Sequence, residues 1–195
     1  SSDPQQAARQ GAIVCQDWEG GPIQPEHYFD AAAVPADGSR TLRRLHPPLA
    51  PGHAVDGAFR VSPDGELVVF RADAELDEVY ELYASRVADG TVAKLSGPLV
   101  AGGDVTGALD GTANFWISPD GARVVYRADA AQDEVHELWS VPLDGSAAPV
   151  RLHPALAGTR DAVGPGRFTL DGTRVVFAAE LTSEGVYELL SAPVD

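Results

Sequence analysis

Phe115-Trp-Ile-Ser-Pro-Asp-Gly-Ala-Arg-Val-Val-Tyr-Arg-Ala-Asp129 reads as two short strands folded back on each other through a Ser-Pro-Asp-Gly turn. Asp-Gly between apolar runs is a strong hairpin signal, because Gly takes a positive φ cheaply and Asp tolerates one. The flanking residues are β-branched or aromatic, which suits a pleated surface. The stretch has two relatives in the chain, Phe59 to Asp73 with Ser62-Pro63-Asp64-Gly65, and Arg167 to Glu180 with Asp171-Gly172. From one Asp-Gly to the next the spacing is 56 and then 51 residues. Each copy runs on into Val-x-Glu-Leu and a further apolar residue, at Val79 to Tyr83, Val135 to Trp139 and Val186 to Leu190.

A second Asp-Gly follows at Asp37, Asp89 and Asp144, and each leads into a basic residue and a Leu. Each full repeat therefore holds two hairpins and four strands, A about 59 to 62, B 66 to 72, C 79 to 87 and D 91 to 95, repeated over 115 to 152. No ten-residue stretch sustains a helical period, so the expectation is an all-β chain of roughly 14 strands with helix under about 10%. Four antiparallel strands recurring at about 50 residues is the signature of a β-propeller blade, in which each sheet covers its neighbours. Boundaries follow: 1–27 an N-terminal segment with one strand at Ala12 to Trp18, 28–57 a partial blade, 58–107 and 108–164 complete blades, 165–195 a partial blade with strands A, B and C. Two complete and two partial blades make either a minimal four-bladed ring or a piece of a larger propeller, and the second reading is preferred because an open arc leaves apolar faces to cover.

The Ser-Pro-Asp-Gly turns at Ser62 and Ser118, each followed by Val-Val-aromatic and then Glu-Leu-aromatic, resemble the WD40-like PD40 repeat of TolB-type propellers over about residues 28–195. The last unit departs from the pattern, with Leu170 in place of the turn Pro. The resemblance implies a propeller, a periplasmic or extracellular location and a non-catalytic binding role. Related blades also form the regulatory propeller of prolyl-oligopeptidase-like serine peptidases.

Composition narrows the classes. Asp and Glu number 29 against 14 Lys and Arg, a net charge of −15 that repels a phosphate backbone, so no nucleic-acid partner is expected. The longest apolar runs are five residues, such as Val175 to Ala179, far short of the roughly 20 that cross a bilayer, so no membrane insertion is expected. Cys15 stands alone and forms no internal disulfide; beside Val14 it reads as a small buried hydrophobe. Neither Gly-x-Ser-x-Gly, His-Glu-x-x-His nor Cys-x-x-Cys occurs, and the single Lys94 follows no Gly-rich loop, so no catalytic residue and no resident cofactor is assigned.

The B-to-C loops concentrate carboxylates. Asp73, Glu75, Asp77 and Glu78 present oxygen ligands of the kind Ca²⁺ takes, but Glu78 and Ala84 stand where an EF-hand needs Gly and Glu, and Ala131 replaces a carboxylate in the next copy. Solvated loop residues or strand-end hydrogen-bond acceptors are the preferred reading. Glu81, Glu137 and Glu188, with Arg71 and Arg127 also inside strands, read as structural Arg–Glu pairs between strands or blades. His46 and His153, at the exits of equivalent D strands where the other copy has Ser96, read as turn formers rather than metal ligands. Trp116 and Trp139 read as inter-blade core, and Trp18 is unassigned. Val68, Val124 and Val175, with Leu82, Leu138 and Leu189, are expected buried at equivalent places. The function expected is a propeller module that binds a protein or other ligand through its loops, with the peptidase-linked propeller as the alternative, a purely structural repeat as a third reading, and self-association through open blade edges as a further property.

Overall fold

A computed structural model describes residues 12–17, 30–35, 42–107, 114–156, 158, 160–169 and 171–195, with the backbone alone for 12–17, 30–35 and 163–168. Fourteen strands and no helix are found among these residues. They form four antiparallel meanders. Sheet I is β1 (Ala12–Asp17), β2 (Asp30–Pro35) and β3 (Arg43–Arg44). Sheet II is β4 (Val55–Val61), β5 (Leu67–Ala72), β6 (Glu81–Arg86) and β7 (Val92–Lys94), and sheet III is β8 (Phe115–Ile117), β9 (Arg123–Ala128), β10 (Glu137–Pro142) and β11 (Val150–Arg151). Sheet IV is β12 (Ala162–Phe168), β13 (Arg174–Ala179) and β14 (Glu188–Pro193). The side chains of Cys15 and Trp18 lie outside the described residues.

The turns explain the register. In the A-to-B turn Ser62 Oγ donates to Asp64 Oδ1 at 2.5 Å and accepts from Leu67 N at 2.9 Å, while Asp64 Oδ1 accepts from Glu66 N at 3.0 Å. Ser118 with Asp120 and Thr169 with Asp171 repeat this arrangement, with Gly65, Gly121 and Gly172 at φ near 76, 74 and 71°. Thr169 keeps the hydroxyl, so Leu170 in place of Pro leaves the turn intact. Strand A in sheet II begins at Val55, earlier than its pattern suggests, because the pairing with β5 shifts register between Val55 and Phe59.

The core lies between sheets. Val69, Leu82 and Ala84 of sheet II pack with Val105, Phe115, Val124, Tyr126 and Ala128 on the sheet III side. Val125 and Leu138 of sheet III pack with Val175, Phe177 and Ala179 of sheet IV. Trp139 and Trp116 are partly buried against these two clusters, in agreement with an inter-sheet role. Leu45, after β3, joins Val68 and Phe70 on the opposite face of sheet II. Three consecutive residues of β5 and of β9 are therefore fully buried, which requires cover on both faces.

Sheet IV differs. Burial alternates along β13 and β14, the pattern of a sheet covered on one side only. Leu189 is 80% exposed where Leu82 and Leu138 are 0% and 1% exposed, so the expectation that all three are buried fails at the third. The reason is that Leu82 is covered by sheet III and Leu138 by sheet IV, and nothing among the described residues covers Leu189. Leu138→Ala is expected to cost about 3 kcal/mol by loss of burial and an unfilled cavity, and Leu189→Ala under about 0.5 kcal/mol, measured by urea denaturation.

Ser85 Oγ is buried with no hydrogen-bond partner among the described residues, at a position held by Val141 and Ala192 in the next sheets. Removing an unpaired buried hydroxyl relieves its desolvation, so Ser85→Ala is expected to stabilise by about 1 kcal/mol in the same assay.

Candidate functional site

In sheets II, III and IV strand B ends in a carboxylate that turns inward. Asp73, Asp129 and Glu180 are 2%, 5% and 4% exposed. Asp73 accepts from Ala54 N at 2.6 Å, in the loop that enters strand A, and from Glu78 N at 3.2 Å, in the B-to-C loop. Asp129 accepts from Asp104 N at 2.5 Å and Glu134 N at 3.1 Å, and Glu180 from Asp161 N at 3.0 Å and Gly185 N at 2.5 Å. Each carboxylate thus ties two loops together at one edge of its sheet. To aim its N–H at that carboxylate the fifth residue onward adopts a positive φ, 60° at Glu78, 62° at Glu134 and 76° at Gly185.

Neighbouring sheets are joined at the same edge. Tyr80 N donates to Asp104 Oδ1 at 2.5 Å, Tyr80 O accepts from Val105 N at 2.8 Å, and Arg71 Nη1 donates to Val105 O at 2.6 Å. One repeat later His136 N donates to Asp161 Oδ1 at 2.8 Å, His136 O accepts from Ala162 N at 2.7 Å, and Arg127 Nε donates to Ala162 O at 2.9 Å. Arg71 also pairs with Asp56 at 2.8 Å and lies 4.3 Å from the Tyr80 ring centre, while Arg127 approaches Asp161 at 3.4 Å. Burial lowers the Arg127 pKa, against the opposing pull of Asp161 and Asp129. Burial raises that of Asp104, against the Tyr80 hydrogen bond.

These contacts correct the expected pairing. Arg71 and Arg127 bond carbonyls of the next sheet and aspartates, Asp56 of the same sheet and Asp161 of the next, and the strand glutamates find partners across the C–D pair instead: Arg151 bonds Glu137 Oε1 at 2.8 Å, and Lys94 bonds Glu81 while reaching Glu75 at 2.9 Å. Glu188 accepts from Thr182 Oγ1 at 3.3 Å. His153 is more than a turn former. Its Nδ1 faces Pro154 O at 2.8 Å, and its buried Nε2 accepts the strand N–H of Leu138 at 3.0 Å, the part Ser96 Oγ plays toward Leu82 N at 3.1 Å. His46 Nδ1 likewise lies 2.7 Å from Pro47 O.

The four carboxylates with calcium character are not brought together. Asp73 is consumed by backbone N–H groups, Glu75 makes a surface ion pair with Lys94, and Asp77 and Glu78 are exposed; among the described residues no group of three or more His, Cys, Asp or Glu is placed to hold a metal ion. What remains at this edge is a rim of exposed carboxylates, Glu75, Asp77 and Glu78 on sheet II, Asp133 and Glu134 on sheet III, and Glu184 on sheet IV. Asp133 sits against Gly102 of the entry loop, where a Cβ would lie 2.8 Å from Oδ1 and φ is +87°, so a side chain there is strained and Gly is favoured.

No protein-family model matches the chain, and no curated protein sequence matches it significantly. Solved structures do. A chain assigned as TolB in Agrobacterium tumefaciens superposes with a TM-score of 0.52 at 17% identity, over 94% of this chain and 57% of that one. Puromycin hydrolase gives a TM-score of 0.59 at 18% identity, over 92% of this chain and 25% of the enzyme. A prolyl endopeptidase gives 0.52 at 19%, over 95% of this chain and 25% of the peptidase. At these identities the likeness establishes the fold: the four meanders are β-propeller sheets, and the chain spans between a quarter and somewhat over half the length of these three solved chains.

Asp129→Ala leaves the N–H groups of Asp104 and Glu134 without their partner and is expected to cost about 3 kcal/mol, read by urea denaturation. Burial lowers the His153 pKa from 6.5, so the native state favours the neutral ring that accepts from Leu138 N. That contribution is complete above the ordinary value of 6.5 and is lost as pH falls from there to the lowered native value, because only the unfolded chain protonates in that window. His153→Gln, which keeps an acceptor, is expected to flatten the fall in Tm just below pH 6.5, measured by thermal denaturation across pH.

Proposed function

We propose that the chain is a non-catalytic β-propeller module that binds a protein partner through the rim formed by its B-to-C loops, in the manner of a TolB-like propeller and outside the cytoplasm. The observation that carries this reading is the division of labour at that edge. The buried carboxylates Asp73, Asp129 and Glu180 hold the loops in place, while Glu75, Asp77, Glu78, Asp133, Glu134 and Glu184 face solvent in three consecutive sheets. Loops held on a rigid scaffold are the usual place for recognition. A carboxylate rim on a chain of net charge −15 favours a basic surface and speeds its encounter electrostatically. No helix among the described residues is long and apolar enough to cross a membrane.

The second reading is a regulatory propeller linked to a serine peptidase. It is favoured by the likeness to puromycin hydrolase and a prolyl endopeptidase, each of which this chain covers over 25% of its length. A reading frame that carries Gly-x-Ser-x-Gly with later Asp and His beside these residues supports this reading, and further repeats followed by a stop support the first.

The rim itself is tested with a lysine-rich decapeptide. Calorimetric titration at low salt is expected to show binding that weakens about tenfold or more between 50 and 200 mM salt, and a similar loss in the variant Glu75→Gln, Asp77→Asn, Asp133→Asn, Glu134→Gln. Undiminished binding by the variant shows that the rim is not the contact.

A further inference from the structure

Strand B of sheets II and III carries an arginine at the same place, but the two arginines face different side chains. Val55 pairs with Ala72 and Val105 with Ala128, which sets Asp56 opposite Arg71 and Thr106 opposite Arg127. Residues directly opposite on antiparallel chains project from the same face. Asp56 Oδ2 accepts from Arg71 Nε at 2.8 Å, so Arg71 has a carboxylate from within its own sheet. Thr106 brings no charge, and its Oγ1 is buried without a hydrogen-bond partner among the described residues. Arg127 directs Nε to Ala162 O at 2.9 Å and approaches Asp161 only at 3.4 Å.

The other carboxylates around Arg127 are committed elsewhere. Asp161 Oδ1 accepts from His136 N at 2.8 Å and lies 3.4 Å from His136 Nδ1. Asp129 is held by the N–H groups of Asp104 and Glu134, and Glu180 by those of Asp161 and Gly185. Arg127 is therefore a guanidinium short of one negative charge relative to Arg71. Its side chain is 17% exposed, so solvent and small solutes reach it.

We propose that Arg127 and Thr106 form a binding site for a small carboxylate anion of formate or acetate size, which supplies the charge that Asp56 gives Arg71. A carboxylate matches the planar fork of a guanidinium, and the Thr106 hydroxyl is a donor for the same anion. One charge is what the joint lacks, and a net charge of −15 repels phosphate or sulfate more strongly than a monovalent anion. The buried position of Thr106 Oγ1 limits the ligand to a small one.

The probe is sodium formate, with sodium chloride at equal ionic strength as the reference. The 195-residue chain is expected to melt about 3 °C or more higher in about 0.1 M formate than in chloride. In nuclear magnetic resonance spectra the Arg127 Nε–H signal is expected to move with added formate and to saturate. Thr106→Asp supplies the charge covalently. It is expected to melt above the original chain in chloride and to retain under about 1 °C of formate response. Thr106→Val removes the donor, with Val163 as precedent at the matching place in sheet IV, and is expected to at least halve the response. Equal melting temperatures of the original chain in formate and chloride overturn the proposal, as does a formate response that Thr106→Asp or Thr106→Val leaves intact. A formate response without movement of the Arg127 Nε–H signal also overturns it, and that measurement needs no variant to fold.

Discussion

An apolar β-sheet has two faces, and in sheets II and III each face is covered by residues of the next or the preceding sheet. The contrast between Leu138, 1% exposed, and Leu189, 80% exposed, isolates that dependence, because both sit in the same local sequence and the same strand register. Full burial of a Leu side chain is worth roughly 2 kcal/mol, and this gain arises between sheets and not within one. Stability is therefore a property of neighbouring pairs, the quasi-one-dimensional arrangement of repeat proteins. The hairpins fix which residues point to which face, and the neighbour decides whether that face is dry.

Polar groups make the pairing of sheets specific. Leucines and valines pack in many registers, but Tyr80 N against the Asp104 carboxylate with Val105 N against Tyr80 O permits one, and the same set recurs at His136, Asp161 and Ala162. Near the dry interface an unmet N–H or carboxylate is costly, so slippage is penalised more than alignment is rewarded. The clamps at Asp73, Asp129 and Glu180 act one step earlier, holding the entry loop against the B-to-C loop so that the aspartates at 104 and 161 arrive in position.

Most of the architecture was legible in the repeat. The fourteen strands among the described residues, in two four-stranded sheets and two three-stranded ones, follow from Asp-Gly turns and the Val-Val-aromatic pattern, and Val68, Val124 and Val175 are buried as the identities suggest. Leu189 was misread because a repeat identifies the surface a residue contributes to, while burial needs the neighbour as well. His153 was misread because Ser96 at the matching place looks unlike it, although both accept the same strand N–H. The pairing of Glu137 with Arg151 and of Glu81 with Lys94 was hidden behind the more conspicuous arginines inside strand B. The loop clamps did leave a trace: Gly185 shares its place with Glu78 and Glu134, and Gly in one copy of a repeat marks a left-handed backbone in the others.

That trace also separates the structural carboxylates from those free to recognise something. Asp73, Asp129 and Glu180 keep an acidic side chain in all three copies, yet every one is buried against backbone N–H groups, so recurrence here reflects folding. Position 75 carries Glu, Ala131 and Thr182 in successive copies, and position 77 carries Asp, Asp133 and Glu184. Both positions are solvent-exposed in all three sheets, so no shared packing demand fixes their identity. Side chains that the scaffold leaves unconstrained are the ones a binding surface can vary at little cost to stability. The rim is thus acidic in sum and different in each sheet, the variation on which the proposed binding role would draw to orient a partner.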